Sequence, residues 1–270
     1  MTLSYQIEGE GPPLLLIHGM GVTYTIWRNL VPLLRPHYKL IMAEMPGHGA
    51  SPALPPGEDY YQYSAEQVEI LRRELKINQW SLLGYSMGAW VAQAYLQKYP
   101  QRVSGVIFLC PAVLTRMWSF SLKGLIRLDR IYPAFSGWLL QSWRLHWLVR
   151  LLGFNGQEHP YAQVWTREIA SQPVDVIKAL LGDLPGAGRA EFPTPSCPTW
   201  VIWGAKDSVT VRPNPLRLFD RLVNGSHSAP MLAAGEVALL IREFLVSETV
   251  SDDNPEHAVE NKKLSIEGAL

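Results

Sequence analysis

The pentapeptide Gly84-Tyr85-Ser86-Met87-Gly88 follows an apolar run, Trp80 to Leu83, and precedes a helix-patterned run, Ala89 to Tyr99. This context predicts a strand, a tight turn and a helix, with a serine at the apex. The two glycines remove the Cβ atoms that would clash in so sharp a turn, and the hydroxyl is presented beside the N-terminus of the following helix. That end of a helix favours the negative charge that develops when a serine attacks a carbonyl. The same five letters also fit an ordinary strand-to-helix turn with a serine N-cap. The rest of the chain has to separate the two.

Three more segments stand where a nucleophile elbow needs them. Leu14 to Ile17 is an apolar run ending in His18-Gly19-Met20-Gly21, a flexible turn at a strand end. Such a turn can aim a backbone N–H into the site, where it would form an oxyanion hole with the N–H of Met87. Trp200 to Trp203 is another apolar run, ending in Gly204-Ala205-Lys206-Asp207, which places a carboxylate at a strand's C-terminal end. His227 comes later, in the small-residue loop Gly225-Ser226-His227-Ser228 before the helical run Met231 to Val246. The chain order is Ser, Asp, His.

With these motifs the chain resembles the α/β-hydrolase-fold superfamily, in its serine esterase, lipase and haloperoxidase-like branch, over roughly residues 3 to 246. The segment Glu44-Met45-Pro46-Gly47-His48-Gly49-Ala50-Ser51 matches the loop after that family's next strand, with Glu44 where Asp is usual. The departure keeps the loop's charge. The resemblance implies an α/β fold with a mainly parallel sheet flanked by helices and an inserted helical cap. It also implies two-step acyl transfer on an ester-like carbonyl, with no cofactor. His227, oriented by Asp207, takes the proton of Ser86, and the backbone N–H groups of Met20 and Met87 hold the oxyanion. In this family His18 and His48 usually serve as structural elements of strand-end loops, bonding backbone rather than transferring protons.

The triad can be checked by elimination. Among the histidines after Ser86, His146 and His159 precede Asp207 and His257 lies in a polar tail, so His227 keeps the order. For the acid, Asp220 competes with Asp207, being closer to His227 in sequence. Asp220 sits in an amphipathic run whereas Asp207 ends a buried-looking strand, which favours Asp207. The interval from Asp207 to His227 is short for the family, and Pro213 and Pro215 interrupt it. The helix usually found there is expected to be truncated or missing.

Strands are expected near Leu3 to Ile7, Leu14 to Ile17, Leu40 to Ala43, Trp80 to Leu83, Val103 to Leu109, Thr199 to Trp203 and Arg221 to Val223. Ser64-Ala65-Glu66-Gln67 has the form of a capping box and predicts a helix from there to about Lys76. Strands alternating with helices point to a parallel sheet covered on both faces. The expected organisation is a core over residues 1–111 and 191–246, a helical cap over 112–190 and a disordered acidic tail over 247–270. The tail carries six acidic side chains against two basic ones.

The cap segment holds five of the chain's ten tryptophans, Trp118, Trp138, Trp143, Trp147 and Trp165. Between Arg116 and Leu152 its basic residues are Arg116, Lys123, Arg127, Arg130, Arg144 and Arg150, against one acid, Asp129. Two readings fit. In one, Trp143 and Trp147 line a greasy substrate pocket and the basic edge makes a weak peripheral contact with anionic lipid. In the other, the cap packs on the core with a solvated basic face.

Other function classes are limited by composition. A formal charge of zero gives no basic field for nucleic acid, and no dinucleotide or Walker loop is visible. No metal-ligand spacing occurs, and two cysteines, Cys110 and Cys197, are too few for a disulfide framework and read as small buried residues. The polar start and the lack of a long uncharged apolar run point to a cytoplasmic protein. Nothing in the pattern sets an oligomeric state. A triad-based lyase, a perhydrolase and a non-enzymatic binder of hydrophobic ligands remain as alternatives to the esterase. Trp90 stands where the lyase branch would favour Arg for an anionic substrate.

Overall fold

A computed structural model of the chain describes residues 2–113, 143–183 and 197–252, with the side chains of Trp143 and of 247–252 outside the description. The strands are β1 (Tyr5–Glu8), β2 (Pro13–Ile17), β3 (Lys39–Ala43), β4 (Trp80–Tyr85), β5 (Val103–Leu109), β6 (Thr199–Gly204) and β7 (Asp220–Val223). They form one seven-stranded sheet in the order β1-β3-β2-β4-β5-β6-β7. Only β1 runs antiparallel, against β3. All seven expected strands are present, with shifts of a residue or two at their ends.

Because the central strands are buried on both faces, they read as continuous apolar runs, and successive side chains feed two different cores. Leu14, Leu16, Leu83, Ile107 and Ile202 point to one face, where α1 (Val31–Leu34) and α8 (Ala234–Asp252) pack through Leu34, Val237, Ile241 and Phe244. Leu15, Ile17, Leu82, Phe108 and Val201 point to the other, against α2 (Tyr60–Glu74) and α3 (Gly88–Lys98) through Val68, Leu71, Val91 and Tyr95. Between β5 and β6 lie α4 (Trp143–Phe154), α5 (Pro160–Ser171) and α6 (Val174–Gly182). After β7 comes α7 (Ala229–Leu232) before α8.

Two expectations need correction. The second helix starts at Tyr60, not Ser64: Asp59 is the N-cap, its Oδ1 accepting the Gln62 N–H at 2.9 Å, while Ser64 is buried within the helix. An aspartate just before the helix satisfies an orphan N–H as well as a serine would, and the apolar stripe then extends back to Tyr60 and Tyr61. At the other end, α8 runs to Asp252, so the segment expected as tail from 247 begins as helix; 253–270 lies outside the described residues. The helix expected to be truncated or missing between Asp207 and His227 is absent, in line with that expectation: residues 205–219 carry turns and irregular backbone.

Since β2, β4, β5, β6 and β7 run parallel, their C-terminal ends open onto one edge of the sheet. Ile17 is in register with Gly84, Tyr85 with Leu109, Leu109 with Ile202, and Gly204 with Val223. The loops carrying Met20, Ser86, Asp207 and His227 all leave from that edge, which is where ligands bind in open α/β sheets.

Candidate active site

Ser86 turns the chain from β4 into α3 with φ of +53°, a left-handed conformation that L side chains rarely adopt. The strain is held by main-chain bonds: the Ser86 N–H donates to the Leu109 carbonyl at 3.0 Å, and the Ser86 carbonyl accepts from Ala89 and Ala112 at 3.2 and 3.1 Å. The flanking glycines are needed for close approach. A methyl on Gly84 would lie 2.7 Å from the Gly88 carbonyl, and one on Gly88 would collide with the Ile17 and His18 carbonyls.

Ser86 Oγ lies 2.9 Å from His227 Nε2, and His227 Nδ1 lies 2.9 Å from Asp207 Oδ2. A carboxylate only accepts, so Nδ1 donates to Asp207 and Nε2 is left to accept from the serine hydroxyl. Asp207 Oδ1 accepts the N–H groups of Val209 and Thr210 at 2.8 and 3.2 Å, and Oδ2 accepts the Thr210 hydroxyl at 2.9 Å. Burial raises the Asp207 pKa, but the His227 charge and these hydrogen bonds outweigh it and hold the group below the ordinary carboxylate range. Asp207 therefore stays ionised at neutral pH, as an orienting carboxylate must.

The competing acid is spent elsewhere. Asp220 opens β7 instead of lying in an amphipathic run, and its carboxylate is fully buried. Oδ1 accepts from Trp203 Nε1 and Arg217 Nη2, both at 3.0 Å, while Oδ2 accepts from the Arg217 N–H at 2.7 Å and Nε at 3.1 Å.

The loop after β2 lies directly against the serine. A methyl on Gly19 would sit 3.1 Å from Ser86 Cβ. Among the described residues, the N–H groups of Met20 and Met87 find no acceptor. His18 and His48 brace this loop reciprocally. His18 Nε2 accepts the Met45 N–H at 2.9 Å and Nδ1 donates to the Gly19 carbonyl at 2.8 Å, while His48 Nε2 accepts the Gly21 N–H at 3.1 Å. Both rings bond backbone, as the structural reading expects. Glu44 Oε2 accepts the Ala50 N–H at 2.8 Å and so closes the second loop in place of the usual aspartate.

This histidine pair has a measurable consequence. Burial, reinforced by the charge of His48, lowers the His18 pKa from 6.5 to about 3 against its bond to Gly19, and burial lowers that of His48 to about 4 against its backbone bonds. Both rings are neutral in the folded protein, whereas the unfolded chain protonates them below 6.5. Their stabilisation is complete above that pH and lost as pH falls towards 3 to 4. Two such sites are expected to remove roughly 4 kcal/mol of unfolding free energy between pH 7 and pH 5. Urea denaturation at both pH values checks this, and an unchanged midpoint would refute it.

Sequence patterns missed the part played by Tyr85. Tyr85, beside the serine, donates its hydroxyl to the His227 carbonyl at 2.7 Å, and its ring lies 5.4 Å from the imidazole. Burial raises its pKa, so the phenol remains a donor. Cys110, at the end of β5, is buried as expected, and Cys197 is half-buried. Trp90 is buried and donates its indole N–H to the Ala112 carbonyl at 3.1 Å.

For the expected pocket residues the outcome differs. Trp147 is 57% exposed, because α4 turns its buried face, Leu145 and Val149, towards α5 and the core. This corrects its placement in a pocket wall. Trp143 opens α4, but its side chain lies outside the described residues, as do Arg116, Trp118, Lys123, Arg127, Arg130 and Trp138. His146 and Arg150 both reach Glu158, at 3.3 and 2.9 Å.

A family model described as the alpha/beta hydrolase fold matches residues 12–135. A hydrolase of known structure from Pseudomonas aeruginosa superposes with a TM-score of 0.74 at 21% identity, over 90% of this chain and 94% of that one. The chain has the α/β-hydrolase fold. Among curated relatives, the pimeloyl-[acyl-carrier protein] methyl ester esterase of Aeromonas salmonicida is 27% identical over 89% of this chain and 94% of its own length. Monoacylglycerol lipase abhd6-B of Xenopus laevis is 26% identical over 92% of this chain and 80% of its own. No helix among the described residues is long and apolar enough to cross a membrane.

Proposed function

We propose that the chain is a serine hydrolase that cleaves a carboxylic ester of a small hydrophobic substrate through an acyl-enzyme. The observation that carries this reading is the unbroken hydrogen-bonded series from Ser86 Oγ through His227 to Asp207, at 2.9 Å in each step. His227 Nε2 takes the serine proton as Oγ attacks the ester carbonyl, and Asp207 holds the ring in the required tautomer and offsets the imidazolium charge. The N–H groups of Met20 and Met87 receive the oxyanion; one such donor is worth ~10²- to 10³-fold in rate. The imidazolium then protonates the leaving alcohol, and water, activated by the same ring, releases the acid. No step calls for a cofactor.

The names of the two relatives, an acyl methyl ester esterase and a monoacylglycerol lipase, support an acyl ester as the substrate class. The lyase alternative is disfavoured by Trp90, a buried indole bonded to the Ala112 carbonyl at the sequence position where that branch would favour Arg. We assign residues 112–190 to a cap, since α4 to α6 bear on the strand-end loops: Ile169 lies against Gly21 and Val176 against Gly47.

Labelling with a fluorophosphonate and turnover of a panel of p-nitrophenyl and methyl esters, a pimeloyl methyl ester included, test the proposal. Labelling at Ser86 with ester turnover is expected; a protein that takes no label and cleaves none of the panel would be a binder instead. Each methylene buried in the pocket is worth about 0.8 kcal/mol, so activity should rise from acetyl to medium-chain esters. Trp147→Ala should leave that profile unchanged. Exposed Trp147 and Leu151, one turn apart on α4, instead suit a weak peripheral membrane contact. Flotation with anionic vesicles, reduced in Trp147→Ala, would support that contact, and no flotation of the wild type would remove it.

A further inference from the structure

We infer that Ser226 and Ser228 are positioning residues, which clamp the loop carrying His227 onto the C-terminal end of α4. The inference rests on the serine-hydrolase reading above and adds a role for the helices inserted between β5 and β6. The two serines flank His227, and both hydroxyls donate to one acceptor, the carbonyl of Gly153, with Ser226 Oγ at 2.7 Å. Ser226 Oγ also accepts the Ser228 N–H at 3.3 Å, closing a small ring of bonds around the histidine's main chain.

Gly153 lies in the last turn of α4, where carbonyls have no donor within the helix. Its neighbours are satisfied locally: the Arg150 carbonyl accepts from Gly156 at 2.8 Å and that of Phe154 from Gln157 at 3.0 Å. The Gly153 carbonyl instead uses its lone pairs on the two serine hydroxyls. A methyl on Gly153 would lie 2.9 Å from the Trp165 ring, so the glycine serves the close packing of α4 on α5, while Ser228 Oγ would stand at ordinary contact distance, 3.4 Å.

On its other side the same loop is held by Tyr85, through the His227 carbonyl at 2.7 Å. A second tie joins α5 to the helix that follows. The Tyr161 hydroxyl donates to Asn29 Oδ1 at 3.1 Å, and Asn29 Nδ2 donates to the Met231 carbonyl at 2.8 Å. Residues 224–228 have no helix or strand of their own to hold them. Their position depends on these bonds together with main-chain ties at the ends of the segment, among them the Lys206 N–H to the Gly225 carbonyl at 2.9 Å and the Ala229 N–H to the Ser226 carbonyl at 3.1 Å, and a shift of about 1 Å in a catalytic group is worth ~10²-fold in rate.

The test compares wild type with Ser226→Ala, Ser228→Ala and the double variant, following ester turnover, the rate of fluorophosphonate labelling and folded content by circular dichroism. The double variant is expected to lose about 10- to 100-fold in kcat, with a parallel slowing of labelling and KM within about threefold, while remaining folded. Each single variant should show a smaller loss of the same kind. Ser226→Thr, which keeps the hydroxyl, should stay within about threefold of wild type. A wild type that resists labelling would remove the hydrolase reading itself. A labelled wild type with equally fast labelling in both single variants, a change confined to KM, or a loss that only tracks unfolded protein would overturn the clamp and leave that reading in place.

Discussion

Ser86→Ala is expected to lower kcat by about five to six orders of magnitude, since members of a triad act as a unit and the remaining rate comes from binding and the oxyanion donors. The fold should be nearly unaffected, with stability changed by no more than ~1 kcal/mol. The bonds that fix the elbow belong to the Ser86 main chain, and among the described residues its Oγ reaches only His227 Nε2. Ser86→Gly should be as inactive yet equal or greater in stability, because glycine accepts the φ of +53° without strain. Steady-state kinetics on the best ester of the panel and thermal unfolding check both variants. Activity of Ser86→Ala within tenfold of wild type would end the serine-nucleophile reading.

The second large effect separates the two candidate acids. Asp207→Asn should cut kcat by ~10⁴-fold. An amide facing Nδ1 favours the tautomer with its proton on Nε2, which would then donate to the Ser86 hydroxyl instead of accepting from it. Asp220→Asn should leave kcat within about threefold and instead cost stability, about 2–4 kcal/mol, by breaking the buried pairing with Arg217. The partial exposure of Arg217, 27% of its side chain, keeps the figure at the lower end of what a buried pair costs. The reverse ranking of the two variants would show that Asp220 serves the histidine.

The acid-stability and cap predictions arise from features of different legibility. His18 and His48 could be read as structural from their place in strand-end loops, but not their reciprocal bracing. Each ring bonds the loop that carries the other, across 27 residues of sequence. Trp147 stands on the exposed side of α4, because helical phase is set by what the helix packs against, which one sequence does not show. Leu145 and Val149 proved to be the buried stripe.

By itself the sequence determined the order of strands and helices, the elbow with its serine and the Ser, Asp, His order. Each of these is written in local patterns: apolar runs for strands buried on both faces, glycines where a turn must be sharp, and small residues in the loops. Tertiary structure alone decided the partnerships. Ser86 and His227 are 141 residues apart, and Asp207 meets His227 only because β6 and β7 end in register at one edge of the sheet. Asp220 was excluded by Arg217 and Trp203, and the Gly153 carbonyl found its two serines 73 and 75 residues away. A hydrogen bond depends on where chain segments meet in space, and that is a property of the packed sheet and helices rather than of neighbouring letters.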